Sequence, residues 1–109
     1  MIQRTSIKLL LIEDDPDDAM LIREILSRDA SPTTPQLESV ESLTAGIERV
    51  VRGGIDLVLL DLSLPECRGM ETLRRFIEAH PDVPVIVLTA LNDESMALDA
   101  LSRGAQDYW

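Results

Sequence analysis

The sequence predicts an α/β domain built on an open parallel sheet, and three observations carry that prediction. Short continuous apolar runs alternate with segments of helical period, giving the order β-α-β-α-β-α-β-α-β and right-handed crossovers. The runs do not alternate in polarity, which is the pattern of strands covered by helices on both faces. Apolar residues form 45% of the 109 residues and aromatics only 3%, so the core is aliphatic and sized for one domain.

The first run, Lys8–Ile12 (KLLLI), opens the sheet. Residues 17–28 follow as a helix, with Met20, Leu21, Ile25 and Leu26 expected inward and Arg23, Glu24 and Arg28 outward. Residues 31–35 (SPTTP) form a connector. Gln36–Val40 (QLESV) alternates weakly and reads as a strand nearer an edge. Leu43–Val51 places Leu43, Ile47, Val50 and Val51 on one face and stops at Gly53-Gly54. Residues 56–60 (DLVLL) form the third strand. Residues 69–79 bring Met70, Leu73, Phe76 and Ile77 to a helical stripe that Pro81 ends. Residues 83–88 (VPVIVL) form the fourth strand. A helix over 92–103 carries Met96, Ala97, Ala100 and Leu101, capped by Asn92 or Asp93 and stopped by Gly104. Asp107-Tyr108-Trp109 begin one more strand.

Several residues call for no special role. Met20, Met70 and Met96 are expected as core packing. Cys67 reads as a replaceable loop residue, His80 as a surface cap at a helix end, and Arg74 and Arg75 as a solvated face.

A net charge of −10 excludes nucleic acid as a direct partner and suits a cation or a basic docking surface. The single Cys67 excludes an internal disulfide, so a reducing cytoplasm is the expected location. No apolar run nears the ~20 residues of a membrane span, and residues 1–8 lack a signal-peptide core, so no membrane partner is expected.

Ligands of open α/β sheets bind at the carboxyl ends of the strands. The first strand is followed by Glu13-Asp14-Asp15-Pro16-Asp17-Asp18, the third by Asp61 and the fourth by Thr89. The first and third strands are expected as neighbours, which brings Glu13, Asp14 and Asp61 to one rim. Carboxylates so placed repel unless a proton or a cation intervenes, and Mg²⁺ suits an all-oxygen donor set. Asp61 could then attack a phosphoryl group, with Thr89 placed to hydrogen-bond its oxygens. Asp15, Asp17 and Asp18 read more simply as helix caps and dipole partners.

The segments LLLIEDD (9–15), DLVLLDLSLPECRGMETL (56–73), VPVIVLTA (83–90) and GAQDY (104–108) occur in an order and spacing that resemble the receiver domain of two-component response regulators. The resemblance runs from Lys8 to Trp109. It implies a doubly wound, flavodoxin-like sheet of order 2-1-3-4-5 with five helices. It also implies that Asp61 is the phosphoacceptor, that Asp14 binds Mg²⁺ directly and Glu13 through water, and that Ser63 lends a backbone carbonyl. Pro65 and Gly69 match the loop that follows, while Thr89 and Tyr108 match the switch pair.

The family carries a lysine three residues beyond the switch aromatic, which would be position 111, whereas this sequence stops at Trp109. The expectation is therefore a receiver over 1–109 truncated at its C-terminus, with the fifth strand cut short and the fifth helix absent. An apolar sheet face left uncovered in that way favours self-association, so a homodimer is among the partners considered. The other partners implied are a sensor histidine kinase or histidine phosphotransfer protein and an output domain or effector. The role implied is regulatory rather than enzymatic, with slow self-dephosphorylation. One alternative is an interaction module that kept the fold without the chemistry, which the missing lysine favours and the complete acidic set opposes. Another is a Mg²⁺-dependent phosphohydrolase, but Asp61-Leu62-Ser63 lacks that class's second acid.

Overall fold

The computed structural model describes residues 7–27, 36–67 and 69–88, with the backbone of 107–108. Its elements are β1 (Lys8–Ile12), α1 (Pro16–Ser27), β2 (Gln36–Val40), α2 (Leu43–Val51), β3 (Leu57–Asp61), α3 (Met70–Ala79), β4 (Val85–Leu88) and β5 (Asp107–Tyr108). The strands form one sheet in the order β2-β1-β3-β4-β5, and every pairing is parallel. The expected helix over 92–103 and the connector 31–35 lie outside the described residues, as does Met96.

Two apolar layers follow from the period of two along each strand. Leu10, Ile12, Val58, Leu60, Val85 and Val87 pack against Leu43 and Val50 of α2 and Leu73 and Phe76 of α3. On the opposite face, Leu9, Leu11 and Leu59 meet Ile22 of α1, with Ala19 and Leu26 beside them. Each aliphatic side chain so buried contributes roughly 1.5–3 kcal/mol before entropy is counted. Helices on both faces explain why the strands carry no polar alternation. Among the described residues no helix is long and apolar enough to cross a membrane.

The inward stripe of α1 differs from the expected one. Ala19, Ile22 and Leu26 face the sheet, whereas Met20 is 65% exposed and Leu21 52% exposed. At 3.6 residues per turn the three inward residues fall within about 60° of one another, and Met20 and Leu21 point away. Leu26 was placed correctly, and Met20 is not a core residue. Val51 at the end of α2 is likewise exposed. Arg23, expected outward, lies across the edge strand and donates to the Leu37 carbonyl at 3.1 Å.

Two strand limits also move. β3 starts at Leu57 because Asp56 serves β1 instead: its N–H donates to the Lys8 carbonyl at 2.8 Å, and its carboxylate accepts from the Lys8 N–H at 2.7 Å. β3 reaches one residue further than expected, since Asp61 is paired with Leu88. β4 begins at Val85 because the Val83 N–H closes a turn on the His80 carbonyl at 3.4 Å and Pro84 has no N–H to give.

Helix ends are fixed by local chemistry. α2 ends where Gly53 takes φ 81°, a conformation costly for residues with a Cβ. α3 ends on His80, whose N–H donates to the Phe76 carbonyl at 2.9 Å. Its ring is half-buried: Nε2 donates to the Ile47 carbonyl of α2 at 2.9 Å, and the ring tilts against Phe76. His80 thus caps as expected and also joins two helices. Cys67 is 8% exposed and sits in the core rather than idling in a loop, while Arg74 pairs with Glu71 and Glu78 on an exposed face.

Candidate metal centre

β1 and β3 are neighbours in register, with Ile12 opposite Leu60, so the residues that end them share one rim. The Glu13 N–H donates to the Val40 carbonyl at 3.0 Å and carries the ladder one residue past β1. That bond keeps Glu13 only 7% exposed, and Asp61, the last residue of β3, is 9% exposed. Asp14 is exposed beside them. Glu13, Asp14 and Asp61 each offer a carboxylate oxygen within 4.8 Å of the other two.

Backbone donors hold this cluster. Asp61 Oδ1 accepts from the Ser63 N–H at 2.9 Å, and Glu13 Oε1 accepts from the Asp15 N–H at 3.1 Å. Asp15 caps α1, its Oδ1 accepting from the Asp17 N–H at 2.9 Å, and Pro16 occupies the first helical position, where no N–H is needed. Asp17 and Asp18 lie in the first turn, where the helix dipole favours acids.

The electrostatics of the cluster call for a counter-charge. Burial lifts the Glu13 carboxyl to about 7; the Asp15 N–H opposes the rise and the Asp61 charge adds to it. The Asp61 carboxyl is raised too, first by burial and also by the charges of Asp14 and Asp18, although the Ser63 N–H and a hydrogen bond with Glu13 pull it down. Both shifts favour uptake of a proton by the pair when no cation is bound. A hard divalent ion could take that proton's place. Oxygens bound to one Mg²⁺ lie within about 4.2 Å of each other, so a cluster already drawn inside 4.8 Å fits with little movement.

Ser63 is exposed and meets Asp61 through its N–H. Thr89 lies outside the described residues. Tyr108 lies in β5, its backbone paired with Val87, and its side chain is outside the described residues. A cavity of about 230 Å³ opens beside Glu13 between α1 and β2, bordered by Met20, Arg23 and Ser39.

One polar residue near the site was not anticipated. Glu66, in the β3–α3 loop, accepts hydrogen bonds from the Leu43 N–H, from the Thr44 N–H at 3.3 Å and from the Thr44 hydroxyl at 3.0 Å. Burial pushes its carboxyl up, but these three donors outweigh that and hold it below its ordinary value. Ser42 caps the same helix by accepting from the Ala45 N–H at 3.1 Å. The Leu43 and Thr44 N–H groups are among the first donors of a helix, which have no partner within it, and nothing in the local sequence names Glu66 as their acceptor.

Comparison with known proteins places this geometry. The family model described as "Response regulator receiver domain" matches residues 9–109. The regulatory protein LuxO of Vibrio cholerae is 36% identical over 98 residues, covering 90% of this chain, and the chain spans 21% of LuxO's length. Among solved structures, a response regulator receiver domain protein from Clostridium thermocellum aligns with TM-score 0.76 and 29% identity over 94% of this chain and 79% of that one. The response regulator TrrA of Thermotoga maritima, solved in complex with Mg²⁺-BeF, aligns with TM-score 0.74 and 24% identity over 94% of this chain and 84% of its own. A sheet of this order, with acids gathered at the ends of its first and third strands, and a family match over nearly every residue lead to one assignment: the chain belongs to the response regulator receiver domains of two-component signalling.

Proposed function

We propose that this chain is a phosphorylation-dependent switch that accepts a phosphoryl group on Asp61. The observation that carries the reading is the convergence of Glu13, Asp14 and Asp61 on one rim. In this reading Asp14 and Asp61 hold Mg²⁺ directly, Glu13 acts through a water, and the Ser63 backbone carbonyl completes the protein's share. Bound there, Mg²⁺ would supply charge neutralisation for the carboxylates and the incoming phosphoryl oxygens. The solution of TrrA with Mg²⁺-BeF supports the choice of ion.

The donor is a phosphohistidine of a sensor kinase or phosphotransfer protein. An Asp61 carboxylate oxygen attacks the phosphorus; the P–O bond forms as the P–N bond breaks, and the imidazole leaves with the electron pair. The Ser63 N–H, already on Oδ1, orients the carboxylate for that attack. Thr89 would donate its hydroxyl to the acyl phosphate, and Tyr108 would follow it, shifting the face read by an output domain or effector. Slow hydrolysis returns the switch to rest, so the role is regulatory, and its setting is the cytoplasm.

The test is exposure to acetyl phosphate with Mg²⁺, read by intact-protein mass. The wild type should gain one phosphoryl group and Asp61→Asn none. A wild type that gains nothing, or a variant that still gains one, would overturn the proposal.

A further inference from the structure

The β3–α3 loop is anchored at its base, and its crest stands outward. Leu62, Leu64 and Cys67 are buried in the core, and the Gly69 N–H closes the loop on the Leu62 carbonyl at 2.7 Å. Ser63, Pro65 and Glu66 stand outward. Of these, Glu66 reaches another element, placing one oxygen on Leu43 and the other on Thr44 at the start of α2.

α2 is itself seated on β1. A Cβ at Gly46 would lie 2.2 Å from Ile12 Cδ1, so the helix rests directly against the residue that precedes Glu13. A continuous brace results. It runs from Ile12 through Gly46 and the first turn of α2 to Glu66, along the loop to the Ser63 N–H, and so to the Asp61 carboxylate. Its ends are Ile12, the residue before Glu13, and the Asp61 carboxylate, so it ties the strand that leads into Glu13 and Asp14 to the loop beside Asp61.

We infer that Glu66 is a positioning residue that holds the Asp61 loop at a fixed distance from Glu13 and Asp14, keeping the cation-binding oxygens together. The inference rests on the metal reading proposed above. It distinguishes Glu66 from an ordinary helix cap, because the Ser42 hydroxyl already caps the same helix from the adjoining residue, on the Ala45 N–H.

The experiment is calorimetric titration of the chain with Mg²⁺, alongside thermal melts, for wild type, Glu66→Ala, Glu66→Gln, Ser42→Ala and Asp14→Ala. Glu66→Ala should weaken Mg²⁺ binding about 10-fold, the low end of the range for groups that support ligands indirectly. Glu66→Gln, which keeps one acceptor and the side chain's length, should show an intermediate loss. Ser42→Ala should lower the melting temperature and leave Mg²⁺ affinity at the wild-type value. Wild-type affinity in Glu66→Ala with weakened binding in Asp14→Ala would overturn the positioning role and leave the metal reading standing. Equal weakening in Ser42→Ala and Glu66→Ala would reduce Glu66 to a cap and overturn it as well. Undiminished affinity in Asp14→Ala would bring down the metal reading, and this inference with it. Should Glu66→Ala fail to fold, unchanged affinity in Glu66→Gln would overturn the inference.

Discussion

Raising the pH in the absence of divalent cations should destabilise this fold, by an amount set by Glu13. Burial, with the Asp61 charge beside it, lifts the Glu13 carboxyl from 4.5 to about 7. Between those values the folded chain holds a proton that the unfolded chain has released. The Glu13 contribution to stability is therefore full below pH 4.5 and is lost as pH rises through about 7. At about 1.4 kcal/mol per pKa unit the loss is about 3 kcal/mol, and the raised Asp61 carboxyl acts in the same direction. Glu38 and Glu66 are held below their ordinary 4.5, so their stabilising contributions are lost only on acidification below this window. Urea unfolding in EDTA from pH 4.5 to 8 measures the slope directly. Glu13→Gln should remove most of it, and Mg²⁺ should flatten it, because the cation takes the proton's place. Competition between proton and ion should also weaken Mg²⁺ binding by up to about tenfold per pH unit below 7. A flat wild-type profile in EDTA, or an unchanged slope in Glu13→Gln, would refute the reasoning.

Two further substitutions probe how the site is framed. Gly46→Ala forces a methyl group to within 2.2 Å of Ile12 Cδ1; the overpacking costs about 1–3 kcal/mol against a helix-propensity gain of about 1 kcal/mol. The melting temperature should fall, and an unchanged or higher value would show that α2 is not tightly seated on β1. His80→Ala deletes the bond to the Ile47 carbonyl and the ring contact with Phe76. It should cost about 1–2 kcal/mol in chemical denaturation with Mg²⁺ affinity unchanged, and a variant as stable as wild type would deny the α2–α3 link.

The strands were readable because burial on both faces removes ambiguity: LLLI, LVLL and VIVL admit no polar side. Their limits were less readable, since Asp56 and Val83 look like strand residues until their backbone bonds are traced to Lys8 and His80. The α1 stripe misled because Met20 and Leu21 outweigh Ala19 on any hydropathy count. The sheet nonetheless selects the small residue, with Ile22 and Leu26, since these lie on one narrow face. The helix also begins one residue earlier than the apolar pattern implied, at Pro16 behind the Asp15 cap.

The same contrast separates the two parts of the site. In a parallel sheet every strand ends on the same rim, so whatever follows two adjacent strands must meet there. The convergence of Glu13, Asp14 and Asp61 therefore needs only that β1 and β3 be neighbours and that the strand ends be placed to within a residue. Glu66 obeys no such rule. Its partners lie 22 and 23 residues away in sequence, and its bond depends on how the eight-residue connection between β3 and α3 brings it back toward α2. A strand's end is a one-dimensional fact; a loop's crest is a three-dimensional one. Groups that support a site from loops are thus the ones a sequence leaves out, even where the groups they support are plain in it.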